Sequence, residues 1–375
     1  MVSSALRFIH TADWQLGLRV RYIPGDAGAS VRQARLRTVQ AIGEAAREHG
    51  AEFVIVAGDV FEHHGLKQAT VRKAFDVLKG FPVPVYLLPG NHDPLTPDAL
   101  YQSDLWQREC PANVHVLTSI DPVAVRDDAF LLPCPITERQ VLEDPTAHWG
   151  PGFGPSTGFR VGVAHGGIRE ILAGMEGDEA DLGAAVSLDA CERGRLDYLA
   201  LGDWHGLLRV SERSWYPGTP DATRFKESHP GHVVLVDISA PGAVPEVTPL
   251  PVATLQWRQL SADLNGEADI AALERELEAL PDKANTLVEL ELRGVLDLAE
   301  ADMLEKRVLE TSADRFLWVR PRDEHLGRRV DEDALAELAD DGWVGDVVTT
   351  LQASPDPEAQ QALQLLYRLH REVAP

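Results

Sequence analysis

Five places in the sequence deliver a hard oxygen or an imidazole just after a short apolar run. Phe53-Val54-Ile55-Val56-Ala57 ends in Gly58-Asp59-Val60-Phe61-Glu62, and Phe8-Ile9 leads through His10-Thr11-Ala12 to Asp13-Trp14-Gln15. Val85-Tyr86-Leu87-Leu88-Pro89 precedes Gly90-Asn91-His92-Asp93. Val161-Gly162-Val163-Ala164 precedes His165-Gly166-Gly167, and Tyr198-Leu199-Ala200-Leu201 precedes Gly202-Asp203-Trp204-His205. A single strand-Gly-Asp segment is common and carries little. The five together place Asp, Gln, Asn and His at strand ends, a donor set suited to Mn²⁺, Fe²⁺ or Zn²⁺.

The order D-x-[HQ], G-D-x-x-[DE], G-N-H-D, H-G and G-x-x-H resembles the calcineurin-like metallophosphoesterase superfamily. Within it, His10-Thr11-Ala12-Asp13-Trp14, Gly58 to Glu62, Leu88 to Asp93 and Tyr216-Pro217-Gly218-Thr219-Pro220 resemble the SbcD-type nuclease subunit of DNA double-strand-break repair. That resemblance implies an α/β (α+β) fold: a four-layer metallophosphoesterase β-sandwich flanked by helices, with a small α/β cap domain and a helical C-terminal tail. It also implies a two-metal phosphodiesterase acting on DNA, an exonuclease with some endonuclease activity.

By the same resemblance, one ion is held by Asp13, Gln15, Asp59 and His205, and a second by Asp59, Asn91, His165 and Asp203. Asp59 then bridges, because a shared carboxylate offsets the repulsion of two divalent ions ~3.5–4 Å apart. His92 is implied as the non-ligand histidine that stabilises the transition state or protonates the leaving oxygen, with Asp93 orienting its ring. Two positions depart from the commoner pattern. Gln15 stands where the family usually has His, and Asp203 where it usually has a neutral ligand. The resulting oxygen-rich set favours Mn²⁺, with Mg²⁺ or Fe²⁺ as alternatives, over Zn²⁺. Gln15 is open between a ligand and an outer position.

Other polar residues carry less. Arg224 and Lys226 follow the Tyr216–Pro220 stretch and are candidates to hold substrate phosphate, with solvated surface as the equal alternative. His10 reads as packed in a strand, and His63 and His64 as a solvent-exposed loop. Trp14 and Trp204, each between two ligands, read as walls of the cleft. Two rival functions stand beside the nuclease: a metallophosphoesterase on non-DNA substrates, and a non-catalytic scaffold that binds DNA ends or an ATPase through an altered site.

The elements that must position these residues alternate strand and helix through residue 240, with helices expected over Val31–His49 and Leu66–Lys79. Ser239 to Pro245 breaks the pattern, so residues 1–240 read as the nuclease domain. Residues 250–325 follow in β-α-β-α-β order as the cap domain, and 326–375 as a helical tail. In the tail, Leu363, Leu365, Leu366, Leu369 and Val373 recur at helical spacing beyond Pro355 and Pro357. The resemblance implies that this segment docks an SbcC-like coiled-coil ATPase.

The 375 residues carry a formal charge of −24, which a protein gripping DNA alone would not need. A partner lending a basic surface fits that balance, and a homodimer is a further option. No apolar run reaches the ~20 residues of a membrane helix. Met1 to Leu6 lacks the basic and apolar parts of a signal segment. Cys110, Cys134 and Cys191 form no C-x-x-C pair. These features together give the expectation of a cytoplasmic protein without membrane partners.

Overall fold

The computed structural model describes residues 5–139, 141, 143–150, 152–172, 184–329, 343–354, 359, 362, 363, 365 and 366. The chain divides into two compact units, Met1–Gln256 and Trp257–Pro375.

The first unit holds two six-stranded sheets. One contains β1 (Leu6–Thr11), β2 (Val54–Val56), β3 (Val85–Leu87), β4 (Val114–Val116), β11 (His232–Ile238) and β12 (Glu246–Pro251), in the order β12-β11-β1-β2-β3-β4. The other contains β5 (Val123–Arg126), β6 (Ala129–Cys134), β7 (Phe159–His165), β8 (Tyr198–Gly202), β9 (Leu208–Arg209) and β10 (Ser214–Tyr216), in the order β5-β6-β7-β8-β10-β9. β1 through β4 pair parallel, as do β6, β7 and β8. Parallel strands must have their carboxyl ends on one side, and that is where every motif lies.

Strand alternation sorts the side chains into layers. Leu6, Phe8, Ile55 and Tyr86 of the first sheet meet Leu131, Val161, Val163, Tyr198 and Ala200 of the second in one buried cluster. Their neighbours in sequence face outward. Ile9, Val54, Val56 and Leu87 pack beneath α1 (Gly25–Glu48), α2 (Gln68–Leu78) and α3 (Asp104–Glu109). Leu132, Ala164, Leu199 and Leu201 pack on the opposite outer face with Trp149, Val186 and Ala190. Burying each such aliphatic side chain contributes roughly 1.5–3 kcal/mol, and the central strands β2, β3, β7 and β8 use both faces. The strands are therefore near-continuous apolar runs.

The helices follow the 3.6-residue period. α2 buries Val71, Ala74, Phe75 and Leu78, and α1 buries Val31, Ala34, Val39, Ile42 and Ala46. α1 starts at Gly25 directly after Pro24, a turn and a half before the expected Val31. The boundary expected at residue 240 also moves. β12 pairs antiparallel with β11 from Asp237↔Glu246 to His232↔Pro251, so the Pro/Gly break is a hairpin within the first unit.

The second unit carries β13 (Gln256–Leu264), β14 (Thr286–Leu296) and β15 (Trp318–Arg328) in sheet order β13-β14-β15. Helix Glu267–Ala279 contributes Ile270, Leu273 and Leu277 to a core with Val288, Leu290, Leu292 and Val308. Asp297 caps the next helix at Glu300, and that helix continues as a π-turn over Leu304–Glu310. In the tail, helix Trp343–Gln352 packs Val344 and Val348 against Leu363. The expected docking segment, residues 357–373, lies mostly outside the described residues. Among the described residues no helix is long and apolar enough to cross a membrane.

Candidate metal centre

The first ligand segments are an extension of strand pairing. Beyond the β1–β2 ladder, the Asp13 amide donates to the Gly58 carbonyl at 3.1 Å. The Gln15 amide donates to Asp59 at 2.9 Å and the Leu16 amide to Val60 at 2.9 Å. Asp13, Gln15, Asp59 and Asp203 have φ of 54°, 43°, 51° and 99°, in the left-handed region that side-chain-bearing residues rarely occupy. Such torsions persist only where the surroundings over-determine them, and they cluster at functional sites. Two glycines permit the close approach. A Cβ on Gly58 would sit 2.0 Å from His165 Nδ1, and one on Gly90 would sit 2.1 Å from Asp59 Oδ1.

Asp13, Asp59 and His165, all buried, each offer a ligand atom within 4.8 Å of the others. His165 Nδ1 lies 2.8 Å from the Ala57 carbonyl, so it carries the proton and donates there. Its Nε2 faces Asn91 Oδ1 at 2.7 Å, Asp59 Oδ1 at 3.5 Å and Asp203 Oδ1 at 3.6 Å. Both Asp13 oxygens lie 3.1 Å from the Asp203 amide, which fixes the two motifs together. His205 Nε2 lies 3.4 Å from the Gln15 side-chain amide. The structure thus brings Asp13, Gln15, Asp59, Asn91, His165, Asp203 and His205 to one place, from β1, β2 and β3 of one sheet and β7 and β8 of the other.

The electrostatics point to a cation. Burial pushes the Asp13 carboxyl up to about 7; His165 and His205 oppose that rise, while Asp59 and Asp203 add to it. Burial works the same way on Asp59, but the neighbouring His165 and His92 outweigh it and hold that carboxyl below its usual range. Three carboxylates, an amide oxygen and the imidazole Nε2 atoms of His165 and His205 converge here. A divalent ion satisfies such a set, and the residues fit one.

His92 stands at the edge of this group with its side chain 38% exposed and Nε2 3.9 Å from Asp59 Oδ2. Its backbone amide donates to Asp59 Oδ1 at 2.9 Å. The expectation that Asp93 orients the His92 ring is corrected. Asp93 is fully buried and accepts from the Gly90 amide at 2.9 Å, the Phe61 amide at 3.0 Å and the Tyr101 hydroxyl. A carboxylate so engaged braces the two motif turns, and the ring faces Glu62 instead.

Trp14 is corrected too. It is 1% exposed and packs in the cluster under α1, its indole N–H donating to Thr11 Oγ1 at 3.0 Å, so it lines no cleft. Trp204 is 9% exposed and belongs to the outer cluster of the second sheet. His10 is buried between Tyr198 Oη at 2.9 Å and the Leu201 carbonyl at 3.1 Å, a packed histidine. His64 Nδ1 accepts from the Leu100 amide at 3.2 Å, while His63 is exposed. Arg224 Nε lies 3.8 Å from Glu227 Oε1, and Lys226 is exposed.

Several supporting contacts escaped the sequence reading. Buried Arg35 donates to the Trp14 carbonyl at 2.9 Å and the Ala222 carbonyl at 3.0 Å, tying the first ligand turn to the loop after Pro220. Thr219 Oγ1 donates to the Asp13 carbonyl at 2.9 Å. Glu227 Oε1 lies 2.7 Å from His205 Nδ1. Thr219 lies inside the Tyr216–Pro220 motif but its partner is distant in sequence, and Arg35 and Glu227 lie outside the motifs, so local spacing carries no signal for these contacts.

Residues 6–236 match the calcineurin-like phosphoesterase family, and the chain belongs to it. The chain is 27% identical over 250 residues to an uncharacterized metallophosphoesterase, YhaO of Bacillus subtilis, covering 62% of this chain and 58% of that one. It is 31% identical over 245 residues to the DNA double-strand break repair protein Mre11 of Archaeoglobus fulgidus, covering 60% of this chain and 52% of that protein. The chain therefore spans little more than half the length of these relatives. The solved structure of TT1561 of Thermus thermophilus aligns at 10% identity and a TM-score of 0.40, over 66% of this chain and 100% of that one. The candidate centre is where the family's motifs meet.

Proposed function

We propose that the chain is a cytoplasmic two-metal DNA phosphodiesterase, an exonuclease with some endonuclease activity. The observation that carries a hydrolytic role is the pairing of a convergent, buried ligand set with one exposed imidazole, His92, at its rim. Asp13, Gln15, Asp59 and His205 would hold one ion, and Asp59, Asn91, His165 and Asp203 the other, with Mn²⁺ preferred by the oxygen-rich set. Bound there, divalent ions supply an activated water and neutralise charge on the non-bridging phosphate oxygens. His92 presents its proton to the leaving oxygen, and the nearby Asp59 and Glu62 carboxylates favour its protonated form.

DNA as substrate is supported by the 31% identity to an archaeal double-strand break repair protein and by the Tyr216-Pro217-Gly218-Thr219-Pro220 stretch. With a charge of −24 the chain needs help to hold a polyanion, and we assign that help to an SbcC-like coiled-coil ATPase docked on the C-terminal segment. The deciding experiment incubates end-labelled single- and double-stranded DNA with Mn²⁺ or with EDTA, alongside a phosphomonoester. Mn²⁺-dependent shortening of DNA is expected. Intact DNA with rapid monoester turnover would assign the site to a phosphatase instead.

A further inference from the structure

The Glu227 side chain is almost wholly inaccessible, at 2% exposure, and both of its oxygens are engaged. Oε1 lies 2.7 Å from His205 Nδ1 and also accepts from the Thr223 hydroxyl; Oε2 accepts from the Thr223 backbone amide at 2.8 Å. Arg224 Nε approaches the same Oε1 at 3.8 Å. Thr223 therefore holds the carboxylate from both oxygens and fixes its plane. What that fixed plane then decides is the state of the imidazole. An acceptor at Nδ1 obliges that nitrogen to carry the proton, so in the neutral ring Nε2 is the nitrogen left with a lone pair, on the side of Gln15 and the centre.

We propose that Glu227 is a positioning residue of the metal centre, setting the tautomer and ring orientation of His205 so that Nε2 can ligate. The inference rests on the two-metal reading above. It goes beyond it in giving one ligand a dedicated partner from a different loop, twenty-two residues further along the chain. His165 reaches the same tautomer by another route, through the Ala57 carbonyl. The two histidines thus differ in kind. A backbone carbonyl is a neutral, permanent acceptor, whereas the Glu227 carboxylate is an anion that strengthens its histidine as a donor and can be removed by one substitution.

Glu227→Gln isolates the effect because it keeps the size. If the amide oxygen stays on His205, the amide NH₂ faces the Thr223 N–H and one contact is lost. If the amide turns over, its NH₂ faces Nδ1 and the proton moves to Nε2, which can no longer ligate.

The test is Mn²⁺ titration of the metal-free full chain, followed by the electron paramagnetic resonance of free Mn²⁺, with melting recorded in EDTA. Wild type is expected to bind two ions. Glu227→Gln should melt in EDTA as wild type does but bind one of the two ions about 10–100-fold more weakly. Thr223→Val, which frees Oε1 from its hydroxyl, should shift the same ion in the same direction by less, and it decides the matter should Glu227→Gln fail to fold. Two ions bound with wild-type affinity by whichever of these variants folds would overturn the role of Glu227 and leave the centre standing. Failure of wild type to bind ions would overturn the two-metal reading itself.

Discussion

His92 Nδ1 stands 3.2 Å from the carbonyl oxygen of Glu62 and 3.9 Å from a carboxylate oxygen of the same residue. Both contacts come from the G-D-V-F-E turn that also supplies Asp59. Burial opposes protonation of the ring, yet the Asp59 and Glu62 charges outweigh it, and the His92 pKa is raised above the ordinary imidazole value. An acid catalyst near neutral pH needs that bias. Removing His92 takes away the acid and leaves the ligands, so His92→Ala should retain both ions and lose about 10²–10⁴-fold in rate. Metal content of the purified variant checks this, and loss of ions along with rate would make His92 a ligand.

Glu62 should show itself in the pH profile. The protonated ring is the active form, so the rate declines as pH rises through the His92 pKa. Glu62→Gln removes a charge that raises this pKa, and the declining limb should move to lower pH while metal content stays constant. A limb that stays in place would free Glu62 of any part in setting the ring's charge.

Asp59 is expected to be indispensable. Its amide analogue, Asp59→Asn, cannot neutralise two cations, and Mn²⁺-dependent hydrolysis of bis-p-nitrophenyl phosphate should vanish. Near wild-type turnover by this variant would end the bridging assignment.

Asp203→His should move the metal preference toward Zn²⁺, because it exchanges a hard anion for an imidazole. Activity measured across Mn²⁺, Mg²⁺ and Zn²⁺ tests this. An unchanged profile would place the Asp203 carboxylate outside the ligand set.

His10 predicts a pH dependence of stability rather than of activity. Burial lowers its pKa from 6.5 to about 3, although its contact with the Leu201 carbonyl acts the other way. The folded state keeps the ring neutral while the unfolded chain protonates below 6.5. Stability is therefore present above that value and is lost as pH falls toward 3, by ~1.4 kcal/mol per unit. Glutamine can meet both Tyr198 and Leu201 without titrating, so His10→Gln should flatten this part of the urea-midpoint profile in EDTA. Parallel profiles for the two proteins would contradict it.

The strand ends were legible in the sequence because apolar runs and Gly-Asp or Gly-Asn turns are local signals. The four layers were implied by the resemblance alone, and alternation realises them, with Val161 and Val163 in the interlayer cluster and Ala164 in the outer one. What the sequence hid was pairing at long range. Glu227 meets His205 and Arg35 meets Trp14 only after the loops fold, and nothing at those positions marks the partner. Asp93 misled because adjacency to His92 suggested contact, whereas successive residues of a tight turn point apart. Trp14 misled likewise: its neighbours face the centre, and a left-handed residue on each side turns the indole into the core. The Pro/Gly break near residue 241 looked like a domain border, and the antiparallel return of β12 lies beyond what local composition reveals.

The convergent residues are divided between the two sheets, Asp13, Gln15, Asp59 and Asn91 on one and His165, Asp203 and His205 on the other. The layers otherwise meet mainly through apolar side chains, which resist separation but grip little against sliding, with the His10 contacts to Tyr198 and Leu201 as a directional link between them. An ion held by residues of both layers would act as a rivet at one end of the sandwich. Occupancy of the site and mechanical coupling of the layers then become a single variable, and any slippage that frees one sheet from the other must also break ligation. A substitution in the hydrophobic interlayer far from the motifs, by loosening that register, would surface first as weakened retention of the ion.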